Sequence, residues 1–492
     1  MNMPAPPQAD GYVTEIAYLP GYYRELNPSI LTLALNRKGF DTWKRGTPFT
    51  YLELGAGYAL STLIHAAANP QAQFIVIDVL PDHILTARAI AEAAQLKNVT
   101  FIEGSFAGLH EMALPQCDFI TMHGVWSWIN DDNRAHILRC LDAHLKPGGV
   151  LSLSYNTLPG CSPILPMREL MVAQYATTQG PLPDRMASAI AFADTLKQVR
   201  GGYFIDNPMA YKRFEDLKGR PRNYLAHEYF NANWTTFYHA DVVASMRPLG
   251  LSFVTQASIF DSIEELHFSS AALALLNKTS DPTLRETLGD FLVNRQFRVD
   301  VFVREGAVRG DADELVRNTR FTALAPPQDL ARFKRRTTLG DIEPPRTESV
   351  AILTALMEKP ATIAELAKHS SLQALPIAEL TRLVYVLTGF GAIETAGDIE
   401  GHEARSVTVR LLNRALRERN RGGMWSGVNA SSVTGGGVHT MHEDQIFLLM
   451  RHEKNPVAES ARILGDTEAA IEPYYRDFVA QRLPRFISMG VD

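Results

Sequence analysis

Three cysteines in 492 residues, Cys117, Cys140 and Cys161, are too few, too widely spaced and odd in number for a disulfide framework or a Cys-rich zinc site. A reducing cytoplasmic setting fits that scarcity. No apolar run reaches the roughly 20 residues that a membrane-spanning helix needs. Residues 1–10 are rich in proline but lack the basic-then-apolar order of a secretory leader. Stable membrane association is therefore not expected. Excess positive charge is missing too: 48 Lys+Arg stand against 54 Asp+Glu, a formal net charge of -6. The overall balance thus offers nothing to draw the chain to nucleic acid.

What is present is an ordinary globular composition, 46% hydrophobic and 21% charged, on a chain too long for one core; about two to four domains are expected. Between residues 49 and 155 short apolar runs alternate with amphipathic stretches, the pattern of βαβ units building a parallel sheet. The runs fall at 49–54, 73–78, 99–103, 118–122 and 150–155, and Leu145-Lys-Pro-Gly-Gly149 reads as a helix-terminating turn feeding the fifth. Helical periodicity at 165–176 and 185–198 then interrupts the pattern, which resumes at 251–256, after a helix near 240–249, and at 297–303. The expected fold is α/β, with a doubly wound core over 47–160 and 236–306 behind an N-terminal helical segment, 1–46. Residues 161–235 are read as a helical insertion and 262–295 as a smaller one.

Past residue 307, Pro-containing linkers at 323–327 and 343–345 introduce helices at 347–357, 363–369 and 378–388, then strand-like 392–395 and 406–410. Three short helices and a two-stranded ribbon make a winged-helix-like domain over 322–415. Its helix 378–388 carries only Arg382 as a basic residue, so protein contact or dimerisation is the expected use and nucleic-acid binding is not. The basic cluster Arg332-Phe-Lys-Arg-Arg336 is read as a solvated linker. A Gly-rich stretch, 422–437, then leads into a C-terminal helical region, with 416–492 as its span.

The chemistry-bearing motif closes the first strand: Glu53-Leu-Gly55-Ala-Gly57, with a helix beginning at Ser61. Glycines at 55 and 57 let the backbone turn tightly and approach a ligand. Asp78 ends the second strand, where a carboxylate can accept hydrogen bonds from the hydroxyls of an adenosine ribose. A dinucleotide site would ask for a third glycine where Leu60 stands. A phosphate-free ligand fits better, and a carboxylate next to Gly55 can hold an amino group such as that of methionine. The plainer alternative is a tight βα turn with Asp78 capping the next helix; it leaves unexplained why acidic residues end both strands on the side where open α/β sheets bind ligands.

In Tyr23-x-x-x-x-Pro28, Glu53-Leu-Gly-Ala-Gly57, Pro81-x-His83, His123-Gly-Val-Trp-Ser-Trp128, Lys146-Pro-Gly-Gly149, Ser154-Tyr-Asn-Thr-Leu-Pro-Gly160, Tyr224-Leu-x-His-Glu-Tyr-Phe230 and Trp234, the chain resembles the class I S-adenosylmethionine-dependent methyltransferases. More narrowly, it is similar to the group with a methyltransferase regulatory domain that includes the rickettsial-type protein lysine methyltransferases. The resemblance covers about residues 12–305 and implies a Rossmann-like sheet of seven strands with the last antiparallel. It implies S-adenosyl-L-methionine as cofactor, held by Glu53, Gly55, Ala56, Gly57, Asp78, Val79, Ser105, Phe106 and His123. Two positions depart from the usual pattern: Ala59 replaces a third small glycine, and Ser105 stands where an Asp often contacts the adenine.

Methyl transfer from a sulfonium needs alignment in a dry pocket more than a strong base, an effect worth up to roughly 7–11 kcal/mol. The expected acceptor pocket joins His123, Trp126 and Trp128 from one loop to Tyr155 and Asn156 from the next. Aromatic faces would hold a cationic amine, and Tyr155 or Asn156 would orient its lone pair. His227 and Glu228 are adjacent on a helix and point apart, and His239 is too distant to complete a metal set, so this segment is assigned to packing or a substrate channel and no metal is expected. Three functions follow in order: a protein lysine methyltransferase, for which the resemblance implies a homodimer; a small-molecule methyltransferase; and a non-catalytic cofactor-sensing regulator.

Overall fold

Seven apolar runs form one sheet in the computed structural model of the protein, which describes residues 18–397 and 402–492. The proline-rich start of the N-terminal segment lies outside the described residues. The strands are β1 (Thr50–Leu54), β2 (Gln73–Asp78), β3 (Val99–Glu103), β4 (Cys117–Met122), β5 (Leu145–Asn156), β6 (Leu251–Gln256) and β7 (Phe297–Arg304). Their order is β3-β2-β1-β4-β5-β7-β6, and β7 runs antiparallel to both β5 and β6. The order reverses between β1 and β4, which opens a crevice at the carboxyl ends of these strands. Leu145-Lys-Pro-Gly-Gly149, expected as a turn, is already part of β5, and its pairing with β4 shifts register between Cys117 and Phe119.

Helices α1 (Pro28–Asn36), α2 (Leu60–Ala68), α3 (Pro81–Ala93) and α4 (Asp131–His144) accompany the first half of the sheet. Every residue of α1 is buried, the polar Ser29, Thr32 and Asn36 included. Its Leu31 and Leu35 join the core around β1 and α2, whereas Ile30, Leu33 and Ala34 join the core of the C-terminal part. The helix therefore couples the two.

The insertion after β5 comprises α5 (Leu165–Thr177), α6 (Leu182–Gln198), α7 (Gly202–Asp206), α8 (Pro208–Lys218) and α9 (Arg222–Tyr229) around a core of its own that includes Met167, Met171, Phe204 and Phe214. Its base is fixed where Gly160 passes the turn at 294–295. A Cβ on Gly160 would lie 2.3 and 2.4 Å from the carbonyl oxygens of Arg295 and Asn294. Helix α10 (His239–Met246) then returns the chain to the sheet.

Beneath the crevice lies a buried ionic cluster. The Arg298 guanidinium meets Asp300 at 2.8 Å, Asp290 at 2.7 Å and Glu286 at 2.9 Å. Asp300 also accepts from Tyr155 Oη at 2.6 Å and from His239 Nδ1 at 2.9 Å. Burial alone would raise the Asp300 carboxyl, but the charge of Arg298 and the hydrogen bonds from His239 and Tyr155 hold it down at about 2. The cluster ties β5, β7, α10 and the helix Pro282–Val293 into one unit.

The expected winged-helix-like ribbon is corrected in part. Helices occur at Arg346–Glu358, Ile363–Leu366 and Ile377–Phe390, and Ile393–Thr395 is a strand. Residues 406–410, expected as its partner, lie within the helix His402–Arg419. The Ser-Val-Thr-Val alternation there is local, whereas Val409, Leu412 and Leu416 repeat at helical spacing and are buried in the same core as α2. Ile393–Thr395 pairs with Arg320–Ala323 instead, which also pairs with Ala361–Thr362.

Candidate active site

The crevice between β1 and β4 deepens into a cavity of about 330 Å³, within the usual range for small-ligand sites. Glu53 is the fourth residue of β1 and shares its face with Tyr51, toward α2. It is buried, and Thr62 of α2 donates to its Oε2. Burial raises the Glu53 carboxyl to about 7; the Thr62 hydrogen bond opposes the rise and the charge of Asp78 adds to it.

The glycine turn follows. Gly55 and Ala56 donate their N–H groups to Ile77 O at 2.8 and 3.1 Å. Gly55 has φ +68°, and a Cβ there would lie 2.5 Å from Val125 Cγ2. Ala59 closes the turn at φ 52° in the left-handed region that favours glycine. Asp78 organises the second edge: its Oδ2 accepts from Gly57 N at 2.7 Å, and its Oδ1 from Leu80 N at 2.9 Å and His83 Nδ1 at 3.1 Å. Of the roughly four acceptor directions of a carboxylate, one is left for a ligand. Asp78 therefore holds the turn and the start of α3 while still facing the cavity.

His123 follows β4 and lies flat against Tyr23, ring centroids 3.7 Å apart. Burial lowers the imidazole to about 4, so it is neutral near pH 7. Its Nδ1 is shielded and has no hydrogen-bond partner among the described residues. Gly124 N donates to Ser154 Oγ at 2.8 Å, and Asn156 N to Ser127 Oγ at 2.9 Å, which locks the two loops together. Trp128 stacks on Trp234 with centroids 5.6 Å apart, and Arg168 lies 5.8 Å over the outer ring.

Of the residues expected at the site, Glu53, Gly55, Ala56, Gly57, Asp78, His123, Trp128 and Asn156 line this one cavity. Tyr155 and Trp126 do not. Along β5 the side chains alternate, so Tyr155 shares a face and a core with Leu151 and Leu153 while Asn156 faces the other way. The Tyr155 hydroxyl is committed to Asp300. Trp126 is buried in that same core beside Phe237. Val79, Ser105 and Phe106 also stand outside the lining, with Phe106 packed on the core below β3.

The remaining wall comes from residues distant in sequence. Tyr18 and Tyr23 cross from the N-terminal segment, Arg213 comes from α8, and Tyr224, His227 and Glu228 come from α9. Tyr18 Oη donates to Glu228 Oε1 at 3.0 Å. Burial raises the Glu228 carboxyl to about 7, with the Tyr18 hydrogen bond opposing. The substrate-channel reading of 227–230 anticipates this wall; Tyr18 and Arg213 carry no local signal that could have announced them. A larger cavity of about 930 Å³ lies elsewhere, between Tyr22, Arg24, Arg335, Glu394 and Arg485, away from the glycine turn and the strand ends. Among the described residues no group of three or more His, Cys, Asp or Glu side chains is placed to hold a metal ion.

Two family descriptions match the sequence: a methyltransferase domain over residues 52–151 and a predicted methyltransferase regulatory domain over 221–304. An uncharacterised protein of Synechocystis sp. is 34% identical over 447 residues, which is 90% of this chain and 88% of that protein. An uncharacterised protein of Rickettsia prowazekii is 25% identical over half of this chain, covering 44% of its own length. Among solved structures, PKMT2 from Rickettsia typhi in complex with AdoHcy superposes with a TM-score of 0.71 at 18% identity, covering 96% of this chain and 99% of that one.

Proposed function

Because the chain belongs to the class I S-adenosylmethionine-dependent methyltransferases that carry a methyltransferase regulatory domain, we propose that its methyl acceptor is the side-chain amine of a protein lysine. The residues present fit the cofactor. Glu53 is a buried carboxylate for the methionine amino group, and Asp78 keeps an acceptor for the ribose. Gly57 leaves open space, with no atom within 4 Å of where a Cβ would stand. When bound, S-adenosylmethionine supplies a methyl group on a sulfonium, whose departure leaves a neutral thioether.

The observation that carries the amine reading is Glu228. It is a half-buried carboxylate, raised to about 7, on the same cavity as Glu53 and Asp78, whose lining also includes the aromatic rings of Tyr18, Tyr224 and Trp128. A lysine enters as an ammonium, drawn by the aromatic faces and by ionised Glu228. It must lose a proton before its lone pair can react, and Glu228 accepts that proton while Asn156 orients the nitrogen. Neutral His123 adds no opposing charge, and Tyr23 stacked on it helps to keep water out. The likeness in fold to PKMT2 over nearly the whole chain supports the same reading.

The test is to incubate the purified protein with S-adenosylmethionine labelled in the methyl group and extract of its source organism. Label on protein, recovered as methyl-lysine after hydrolysis and lost in Asp78→Ala, is the expected result. Label confined to small molecules would replace this reading with a metabolite methyltransferase.

A further inference from the structure

The sequence of α8 and the turn after it places Met209, Lys212, Arg213, Asp216, Leu217 and Arg220 at helical spacing, so they share one face. That face lines a groove of about 430 Å³. The groove and the active-site cavity have Arg213, Tyr224 and Gln296 in common, so the two spaces adjoin. Arg213 stands at the junction, half-buried, with Nη1 3.4 Å from Gly160 O. Lys212 and Arg220 are exposed along the groove, and the Arg220 cation lies 5.6 Å from the Tyr224 ring centre.

The charge here runs against that of the whole chain. Lys218, on the other face of α8, is neutralised by Asp194 and Glu215 at 2.5 and 2.8 Å. Lys212, Arg213 and Arg220 have no such ion pair among the described residues, and Asp216 is the one acid among the residues lining the groove. A cationic groove leading to the acceptor position, on a protein of net charge -6, is complementary to an acidic peptide.

We propose that this groove binds the residues flanking the acceptor lysine and selects those that are acidic. The inference rests on the lysine reading above and adds the sequence class of the substrate. The full-length enzyme would be given synthetic peptides with a single lysine flanked by Asp/Glu, by Ala or by Arg, with labelled methyl incorporation followed against peptide concentration. The expected result is a KM about tenfold lower for the acidic peptides than for the Ala series, with the Arg series poorest. The double variant Lys212→Glu/Arg220→Glu should reverse that order while binding S-adenosylhomocysteine as the native enzyme does, which reports an intact fold. Equal KM values for the three series, or an order unchanged in the variant, would overturn the inference and leave the lysine reading standing. Failure to label any lysine peptide would overturn both.

Discussion

Affinity for S-adenosylhomocysteine should fall steeply as the pH drops below 7, and Glu53 should be the reason. Its carboxyl lies at about 7 in the free protein, against an ordinary value of 4.5, chiefly through burial. A cationic amino group at this position favours the ionised form, so binding below pH 7 requires Glu53 to release a proton first. At pH 5.5 the protonated form outnumbers the ionised one by about 30 to 1, and affinity should be about 25-fold weaker than at pH 7.5. Isothermal titration calorimetry across this range measures it, with proton release checked in buffers of different ionisation enthalpy. Glu53→Gln should abolish the slope. Glu228, also raised to about 7 in the same cavity, serves as the control, because Glu228→Gln should retain it. A flat wild-type profile, or a slope that survives in Glu53→Gln, would refute the reasoning. The same shift has a consequence for the ligand-free protein. The unfolded chain ionises Glu53 first, so stability contributed by the protonated carboxyl is lost as pH rises from 4.5 to about 7, on the order of 3 kcal/mol by linkage.

Four further outcomes are expected. Glu228→Gln should lower kcat about a hundredfold and, at saturating S-adenosylmethionine, remove the acidic limb near pH 7 from the kcat/KM profile for the lysine acceptor, with cofactor affinity unchanged; an unaltered profile would remove Glu228 from the reaction. Asp300→Asn leaves Arg298 short of a buried partner and should cost roughly 3–5 kcal/mol in denaturant unfolding, and a loss under about 1 kcal/mol would show that the cluster is dispensable. Gly55→Ala adds a Cβ 2.5 Å from Val125 Cγ2 at a left-handed φ and should weaken S-adenosylhomocysteine binding at least about tenfold, from a strain of roughly 1–2 kcal/mol per residue plus the clash. Gly160→Ala, facing two carbonyl oxygens at 2.3 and 2.4 Å, should destabilise by roughly 1–3 kcal/mol, read as a lowered thermal midpoint.

The sheet is legible in the sequence because each strand is a short apolar run bounded by turns, and burial on both faces makes such runs continuous. Strand boundaries agree to within a residue at β1, β2, β3, β4, β6 and β7. The exceptions are informative. Residues 406–410 alternate like a strand, yet the longer helical repeat of Val409, Leu412 and Leu416 against the core that holds α2 outweighs the local pattern. At the site, the glycine turn and both acidic strand ends are visible because they are local, with the ligand edge set by the strand direction. Proximity in sequence to His123 and Asn156 puts Trp126 and Tyr155 near the site; strand alternation sends Tyr155 to the Arg298 cluster, and the short helical turn after β4 sends Trp126 into the core. Tyr18, Arg213 and Glu228 reach the cavity from segments far along the chain. Only the packing of the N-terminal segment and of the insertion over the crevice brings them there, and no periodicity encodes those contacts.

The most direct test of the account is a crystal structure with S-adenosylhomocysteine bound. The ribose should lie at Asp78, the amino group at Glu53 and the sulfur facing the side of the cavity that holds Asn156, Trp128 and Glu228. Ligand found instead in the larger cavity by Tyr22, Arg24 and Arg485, or at the glycine turn with its sulfur directed away from Glu228, would contradict it.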